Sequence, residues 1–401
     1  MVDVQNQMAV PNALSLANLE GKGRGLMASR PLKGGEIVLR DSPILTYSAY
    51  PLKRREQESV SSYKTYCVQC CKTLIQGGPT TTTLTCPSCC HPDDGIFCNA
   101  KCHSLAISLT HSPWACQALR YLRNCHVLVD QQSDERQVQA RYLVAAYNLA
   151  MYSPSAFQTL LSLDGNGSQG GEMDSAVFLH SFISLLPFPQ GFSTPSVEMT
   201  ASLLSKDRCN AFGLMEPFSE HGGRSVRAYA IYANGSFFNH DCLPNACRFD
   251  YIDNGTNGNT DMIIRMIHDV PQGQEICLSY FQVNLTYPVR QKRLLDDYGF
   301  ACVCDRCKVE ANWSHQDDEG EDKTMDDDEE EMVGSDEEND QIEVEGEDEN
   351  DDDFPHAYFF VKFVCDRENC GGTLAPLPPM NGNPPDIMEC NVCGNLKREE
   401  L

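Results

Sequence analysis

Asn239-His240-Asp241-Cys242-Leu243-Pro244-Asn245 sets amide, imidazole, carboxylate and thiol side chains within one short stretch. Downstream follow Glu275-Ile276-Cys277-Leu278-Ser279-Tyr280, then Tyr298 and Phe300, then Cys302-x-Cys304-x2-Cys307. Amides and an imidazole can fix a cosubstrate. A tyrosine hydroxyl can work at a reacting centre, and thiolates can close a site around a metal. The downstream triplet supplies three thiolates, whereas a structural zinc takes four ligands. Cys242 could be the fourth, which would tie two distant pieces of chain together.

Those residues need a scaffold. Residues 14–47 read as short strands punctuated by Pro31 and Gly34-Gly35. From about 117 to 205 the pattern turns helical: Ala118, Leu119, Leu122, then Leu143, Val144 and Tyr147, recur at three- and four-residue steps, with a break at Gly165–Gly171. Residues 209–285 return to short strands, and Arg290–Tyr298 reads as a helix leading into the cysteine triplet. There is no internal repeat.

The charge is uneven. The formal net charge is −26, but residues 317–353 hold 23 Asp and Glu and one Lys, a local −22 that leaves −4 elsewhere. Like charges at that density repel and offer little apolar surface to bury, so the segment is expected to be a disordered linker. A sharper reading makes it a lure or autoinhibitor for basic partners. A near-neutral remainder with no basic stripe argues against direct nucleic-acid binding. Met1-Val2-Asp3-Val4-Gln5-Asn6-Gln7 lacks the features of a secretory signal, and the best apolar run, Ala176–Phe188, is too short to span a bilayer. An intracellular location, nucleus and/or cytoplasm, is expected, with no membrane partner. There, 21 cysteines point to metal ligands rather than disulfides.

Their spacing supports this. Cys67-x2-Cys70, Cys86-x2-Cys89, Cys98-x3-Cys102 and His111-x4-Cys116 place ligands on tight turns, and two such turns make a tetrahedral site. Cys71 and Cys90 adjoin expected ligands, so a one-residue slip at Cys70 or Cys89 stays open; His91 and His103 are rival ligands. Cys365-x4-Cys370 with Cys390-x2-Cys393 looks like a zinc ribbon, a staple that so small a unit needs.

The Asn-His-x-Cys-x-Pro-Asn string with its spaced partners resembles the SET domain, the fold of protein lysine methyltransferases that use S-adenosylmethionine (AdoMet). Gly21-Lys22-Gly23-Arg24-Gly25-Leu26, followed by Gly34-Gly35-Glu36-Ile37-Val38, looks like the first hairpin of that fold. Asn210 in Arg208-Cys209-Asn210-Ala211-Phe212 matches a further position, and the segment 67–116 resembles a MYND zinc finger. Over most of residues 14–310 the chain is similar to the SET-and-MYND (SMYD-type) protein-lysine methyltransferases, in particular to short plant SET-domain group members. Animal relatives usually carry a long helical-repeat domain after the last zinc site. Here only 94 residues follow Cys307, so their substrate preferences do not carry over.

The resemblance implies an α+β chain: a β-rich SET fold with an inserted MYND finger and helical insertion, a post-SET zinc site and a small C-terminal zinc-ribbon-like unit. The expected divisions are 14–55 and 209–285 for the SET halves, 67–116 for the finger, 117–208 for the helical insertion, 286–310 for the post-SET segment, 311–353 for the acidic linker, and 354–401 for a small separate unit. It also implies interleaved finger ligands: Cys67, Cys70, Cys98 and Cys102 on one zinc, and Cys86, Cys89, His111 and Cys116 on the other. Cys242, Cys302, Cys304 and Cys307 would hold a third and place Phe300 and Tyr298 over the cosubstrate and lysine pockets. Cys365, Cys370, Cys390 and Cys393 would hold a fourth.

Further roles follow from the same resemblance. Asn239, His240, Asn210, Ser236 and the backbone of Lys22, Gly23 and Arg24 would hold AdoMet, with Phe300 on the adenine. Tyr280 would orient the amine and methyl group and touch the cosubstrate, and Tyr298 would wall the lysine channel. The activity implied is AdoMet-dependent methylation of a protein lysine, with histone tails as a candidate substrate, by a monomer. Against this stand plain readings: Asn239 and Asn245 as turn residues, and Tyr280 and Tyr298 as core aromatics. A competing class is a scaffold whose MYND finger docks proline-rich peptides. Retention of Tyr280 with Asn239-His240 favours the enzyme.

Overall fold

The structure, a computed structural model, describes residues 12–53, 64–74, 83–89, 94–165, 170–219, 224–253, 258–312, 356–379 and 386–398. The acidic segment 317–353, expected to be disordered, lies outside the described residues, as do Cys90 and His91.

The chain opens with a hairpin, β1 (Leu14–Leu19) and β2 (Gly23–Ala28), closed at Gly21-Lys22 and registered Leu19 opposite Gly23. The Gly34-Gly35 turn is not part of that hairpin. It leads into β3 (Ile37–Asp41), which pairs elsewhere, and β4 (Leu45–Ser48) follows. The cysteine-rich segment forms β5 (Thr65–Tyr66), β6 (Thr73–Leu74), β7 (Leu84–Thr85), β8 (Ile96–Phe97) and α1 (Ala100–Ser108).

Helices come next: α2 (Pro113–Arg123), α3 (His126–Val129), α4 (Asp134–Tyr152), α5 (Pro154–Ser162), α6 (Gly170–Ile183) and α7 (Val197–Asn210). The strands that return are β9 (Ala211–Met215), β10 (Val226–Ile231), β11 (Asn239–His240), β12 (Ala246–Phe249), β13 (Met262–Met266) and β14 (Cys277–Leu278). Then come α8 (Tyr287–Tyr298), α9 (Asp305–Glu310), α10 (Ala357–Phe363), β15 (Leu374–Pro376), β16 (Ile387–Cys390) and β17 (Leu396–Arg398).

Small sheets carry the core. Strand order is β4-β10-β9 in one and β12-β13-β3 in another, while β11 and β14 form a parallel pair. The helical insertion packs against them. In α4, Ser133 caps the first turn, Asp134 and Glu135 face its partial positive charge, and Ala140, Leu143, Val144, Ala146 and Tyr147 are buried. Among the described residues no helix is long and apolar enough to cross a membrane.

Two expected boundaries differ. Helix α2 runs across residue 116: Cys116 clusters with Cys86, Cys89 and His111 of the cysteine-rich segment, while Ala118 and Leu122 enter the main core. The segment after the acidic linker is also not separate. Phe359, Phe363, Leu374, Ala375 and Met388 share one apolar cluster with Cys247, Phe249, Ile267 and Val283 of the main body. The large rings of α10 need more apolar surface than a unit of that size supplies for itself.

Candidate functional site

Parallel pairing sets Asn239 opposite Cys277 and His240 opposite Leu278. Asn245 fixes this register. Its Oδ1 accepts from the Cys277 N–H at 2.9 Å, and its Nδ2 donates to the Glu275 carbonyl at 2.8 Å. It is therefore a buried staple between the two strands rather than a plain turn residue.

Asn239 Nδ2 donates to the Arg24 carbonyl at 3.2 Å and to Glu275 Oε1 at 2.8 Å. Lys22 Nζ meets Glu275 Oε2 at 2.7 Å. The hairpin can come this close because residue 25 is glycine: a Cβ there would lie 2.7 Å from Asn239 Nδ2. Arg24 Nη2 donates to Asp164 Oδ1 and to the Ser162 carbonyl, both at 2.8 Å, and its guanidinium lies 4.8 Å from the Phe237 ring centroid. Asn210 Nδ2 donates to the Asp164 carbonyl at 2.9 Å and the Lys206 carbonyl at 2.8 Å. Lys22, Arg24, Asn210 and Asn239 thus join one network through Asp164 and Glu275. The Ser236 Oγ, just upstream, is buried without a hydrogen-bond partner.

His240, beside Asn239 on β11, links Tyr280 to the sulfur site. Its Nδ1 accepts from the Tyr280 N–H at 3.1 Å, so the ring proton is assigned to Nε2, which faces Cys242 Sγ at 3.3 Å. Burial pushes the imidazole down to about 4, leaving it neutral at pH 7. The Tyr280 hydroxyl donates to the Phe238 carbonyl at 3.0 Å, and burial holds its own proton well above the ordinary phenol range. The Tyr280 and Tyr298 rings lie 4.7 Å apart between centroids. Tyr298 ends α8; Gly299 caps that helix in the left-handed region, and Phe300 follows, 37% exposed.

Four sulfur-rich groups have ligand atoms all within 4.8 Å of one another: Cys67/Cys70/Cys98/Cys102, Cys86/Cys89/His111/Cys116, Cys242/Cys302/Cys304/Cys307 and Cys365/Cys370/Cys390/Cys393. A tetrahedron of Zn–S bonds near 2.3 Å has edges of about 3.8 Å. Observed S···S separations of 3.5 Å (Cys242–Cys307), 3.9 Å (Cys242–Cys302) and 3.7 Å (Cys70–Cys98) suit it. Cys70 and Cys89 join these groups; Cys71 does not, and His103 instead sets its ring edge-on to Phe97.

Residues 23–281 match the family model of the SET domain. This chain belongs to the SET-domain family. It is 50% identical, over 97% of its length, to the Arabidopsis thaliana protein named histone-lysine N-methyltransferase ASHR2, 96% of which is covered. A SET and MYND domain-containing protein of Dictyostelium discoideum is 22% identical over 75% of this chain and 83% of its own. N-lysine methyltransferase SMYD2-B of Xenopus laevis is 26% identical over 75% of this chain and 62% of its own. The solved SET domain of LSMT bound to lysine and AdoHcy matches with a TM-score of 0.32 and 14% identity, over 74% of this chain and 55% of that chain.

Three side chains of this SET domain escape a reading of the sequence. Glu275 sits in a quoted motif but gains its role only when β14 pairs with β11. Asp164 merely precedes a glycine-rich break. Arg290, on α8, resembles a solvent-facing helix charge, yet it is fully buried. Its Nε donates to Cys242 Sγ at 3.3 Å, and its Nη2 reaches Cys307 Sγ at 3.8 Å and Glu310 at 2.5 Å. A guanidinium there offsets negative charge on clustered thiolates. A cavity of about 90 Å³ lies apart from this network, between the cysteine-rich segment and β4, β10 and α4; Tyr47, Tyr66, Arg141 and Arg227 line it.

Proposed function

We propose that this SET-domain protein transfers a methyl group from AdoMet to a lysine side chain of a protein, histones being the substrate class and the nucleus the place of action. The arrangement that carries the reading is Tyr280 beside Tyr298, with the Tyr280 N–H held by His240, the residue after Asn239. AdoMet supplies, when bound, an electrophilic methyl on a sulfonium. The residues present suit it. Ser236 Oγ is a polar atom in want of a partner, Lys22 and Phe300 offer exposed surface, and Asn239 with the Lys22–Arg24 backbone supplies polar groups. We assign these, with Gly23, Asn210 and His240, to cosubstrate binding.

The Tyr280 O–H is already given to the Phe238 carbonyl, so the oxygen lone pairs are left to accept from a lysine amine and orient it. Tyr298 walls the same space with an apolar face, and desolvation there favours the neutral amine. Two zinc ions in residues 67–116, read as a MYND finger, and one each at the Cys242 and Cys365 groups complete the assignment. SET halves at 14–55 and 209–285 and a post-SET segment at 286–310 form part of this reading, with α2 shared between finger and insertion and the C-terminal unit packed on the main body.

Paired measurements test it: calorimetric AdoMet binding, and methylation of core histones followed by mass spectrometry. Tyr280→Phe is expected to keep AdoMet binding and zinc content while losing about a hundredfold or more in rate. Asn239→Ala is expected to weaken AdoMet binding itself. A wild-type protein that binds no AdoMet would leave the scaffold reading, with the finger docking proline-rich peptides. Tyr280→Phe working at the wild-type rate would remove Tyr280 from the centre of the mechanism.

A further inference from the structure

The segment Phe281–Thr286 joins Tyr280 to α8, the helix that carries Tyr298. Its two ends rest on the main body, Phe281 against the His240 ring and the Leu285 carbonyl on Arg290 Nη1 at 2.6 Å. Between them, Gln282 and Val283 also meet the C-terminal unit. Val283 is 1% exposed and lies in one cluster with Phe359, Phe363 and Leu374. Gly371, at φ 58°, presses its backbone on Gln282; a Cβ at 371 would come within 2.8 Å of the Gln282 amide carbon. Arg306 donates to the Val283 carbonyl and, at 3.2 Å, to the Leu285 carbonyl, while its guanidinium lies 4.6 Å from the Phe360 ring centroid. A second face of the unit is bolted to the sheet: Glu389 receives Arg265 at 2.8 Å and Tyr251 at 3.0 Å, and Asn391 donates to the Arg248 carbonyl at 3.1 Å.

We infer that the C-terminal Cys365/Cys370/Cys390/Cys393 unit is a metal-dependent brace that positions Tyr280 and Tyr298 by gripping the segment between them. Gln282, Val283 and Arg306 are its positioning residues. The catalytic half of the inference rests on the methyltransferase reading; the mechanical half does not. The grip depends on metal because Gly371 and Gly372 directly follow one ligand, Cys370, and the strand carrying Glu389 ends at another, Cys390. Metal would fix the two turns relative to each other, a constraint that burial of Cys370 and Cys390 alone does not supply.

The test uses the full chain with Cys393→Ala, Cys393→His and Gly371→Val. Readouts are zinc stoichiometry, hydrogen exchange over residues 281–298, AdoMet binding, and kcat on core histones. Cys393→Ala is expected to lose one zinc, to raise exchange across 281–298, and to lower kcat about tenfold with AdoMet affinity within about threefold. Cys393→His, which still offers a zinc ligand, is expected to restore all three. Gly371→Val is expected to keep every zinc yet raise exchange at the same residues. Unchanged exchange over 281–298 after zinc is lost at Cys393 would overturn the brace, as would a wild-type protein with no zinc at this site. If the wild type fails to methylate any substrate, the function falls, while the exchange data still decide the brace.

Discussion

The two groups in the cysteine-rich segment and the group around Cys242 offer nearly the same donors in very different settings. Every ligand of the first two lies between Cys67 and Cys116, so metal there would fold a local piece of chain. That piece is fastened to the body by separate polar contacts: Asp94 pairs with Arg141 at 2.6 Å and with Arg123, and the Thr73 hydroxyl donates at 2.6 Å to Asp253, a carboxylate itself paired with Arg227. The Cys242 group draws one ligand from the Asn-His motif and three from beyond α8, with buried Arg290 between them and His240 against the sulfur. On the proposed methyltransferase reading, metal in the first arrangement would stabilise a module and in the second would hold the reaction site together. Donor chemistry alone does not distinguish them, but the sequence separation of the ligands does.

Cys242→Ala should break the contrast most sharply. It is expected to release one zinc, free the segment bearing Phe300, and lower methyl transfer about a hundredfold or more through lost AdoMet binding. Zinc analysis and calorimetry on the same sample check it; intact AdoMet binding after zinc loss would make the two kinds of site equivalent.

Asp94→Ala probes the fastening rather than the metal. Burial pushes the Asp94 carboxyl up, but Arg141 and Arg123 outweigh that and hold it down to about 2. Leaving both guanidiniums buried without it is expected to cost about 3–5 kcal/mol, read by denaturant unfolding, with zinc content unchanged. Cys98→Ala is expected to release one zinc and raise hydrogen exchange over residues 64–116, while AdoMet affinity falls by less than about tenfold, or 1.4 kcal/mol.

The smallest effect belongs to the body beneath both regions. Asp207 on α7 is buried against Tyr47, and burial pushes its carboxyl up to about 7. The folded state therefore holds a proton that the unfolded state, titrating near 4, releases, so stability falls as pH rises from about 4 to 7 and is flat above. Asp207→Asn is expected to remove that slope and to raise stability at pH 8 by roughly 1–3 kcal/mol, with AdoMet binding unchanged. Thermal melts across pH 5–8 check it.

What the sequence made legible follows the same division. Metal ligands are visible because coordination imposes spacing, and the structure gathers the same sixteen side chains into four groups. Tyr280 and Asn239-His240 are visible because they stand in short dense motifs. Glu275 and Asp164 are not, since a carboxylate reads as surface until segments 36 or more residues apart come together. Arg290 reads as solvent-facing because nothing local reveals that thiolates will surround it. The C-terminal unit reads as separate because counting its own apolar residues ignores those it borrows, Phe249 and Val283 among them.

The pairing of β3 with β13 has a consequence in time. β3 ends at Asp41, and its partner begins at Met262. During synthesis at about 5–20 residues per second, β3 leaves the ribosome roughly ten to forty seconds before that partner exists. Its Val38 and Leu39 face water or a chaperone until then. The cysteine-rich segment emerges inside this interval with all the side chains of its two candidate metal groups, while β11 and β14 are still unmade. Assembly then waits on the last strands, and a ribosome that stalls before Tyr280 displays a finished finger on an unfinished enzyme.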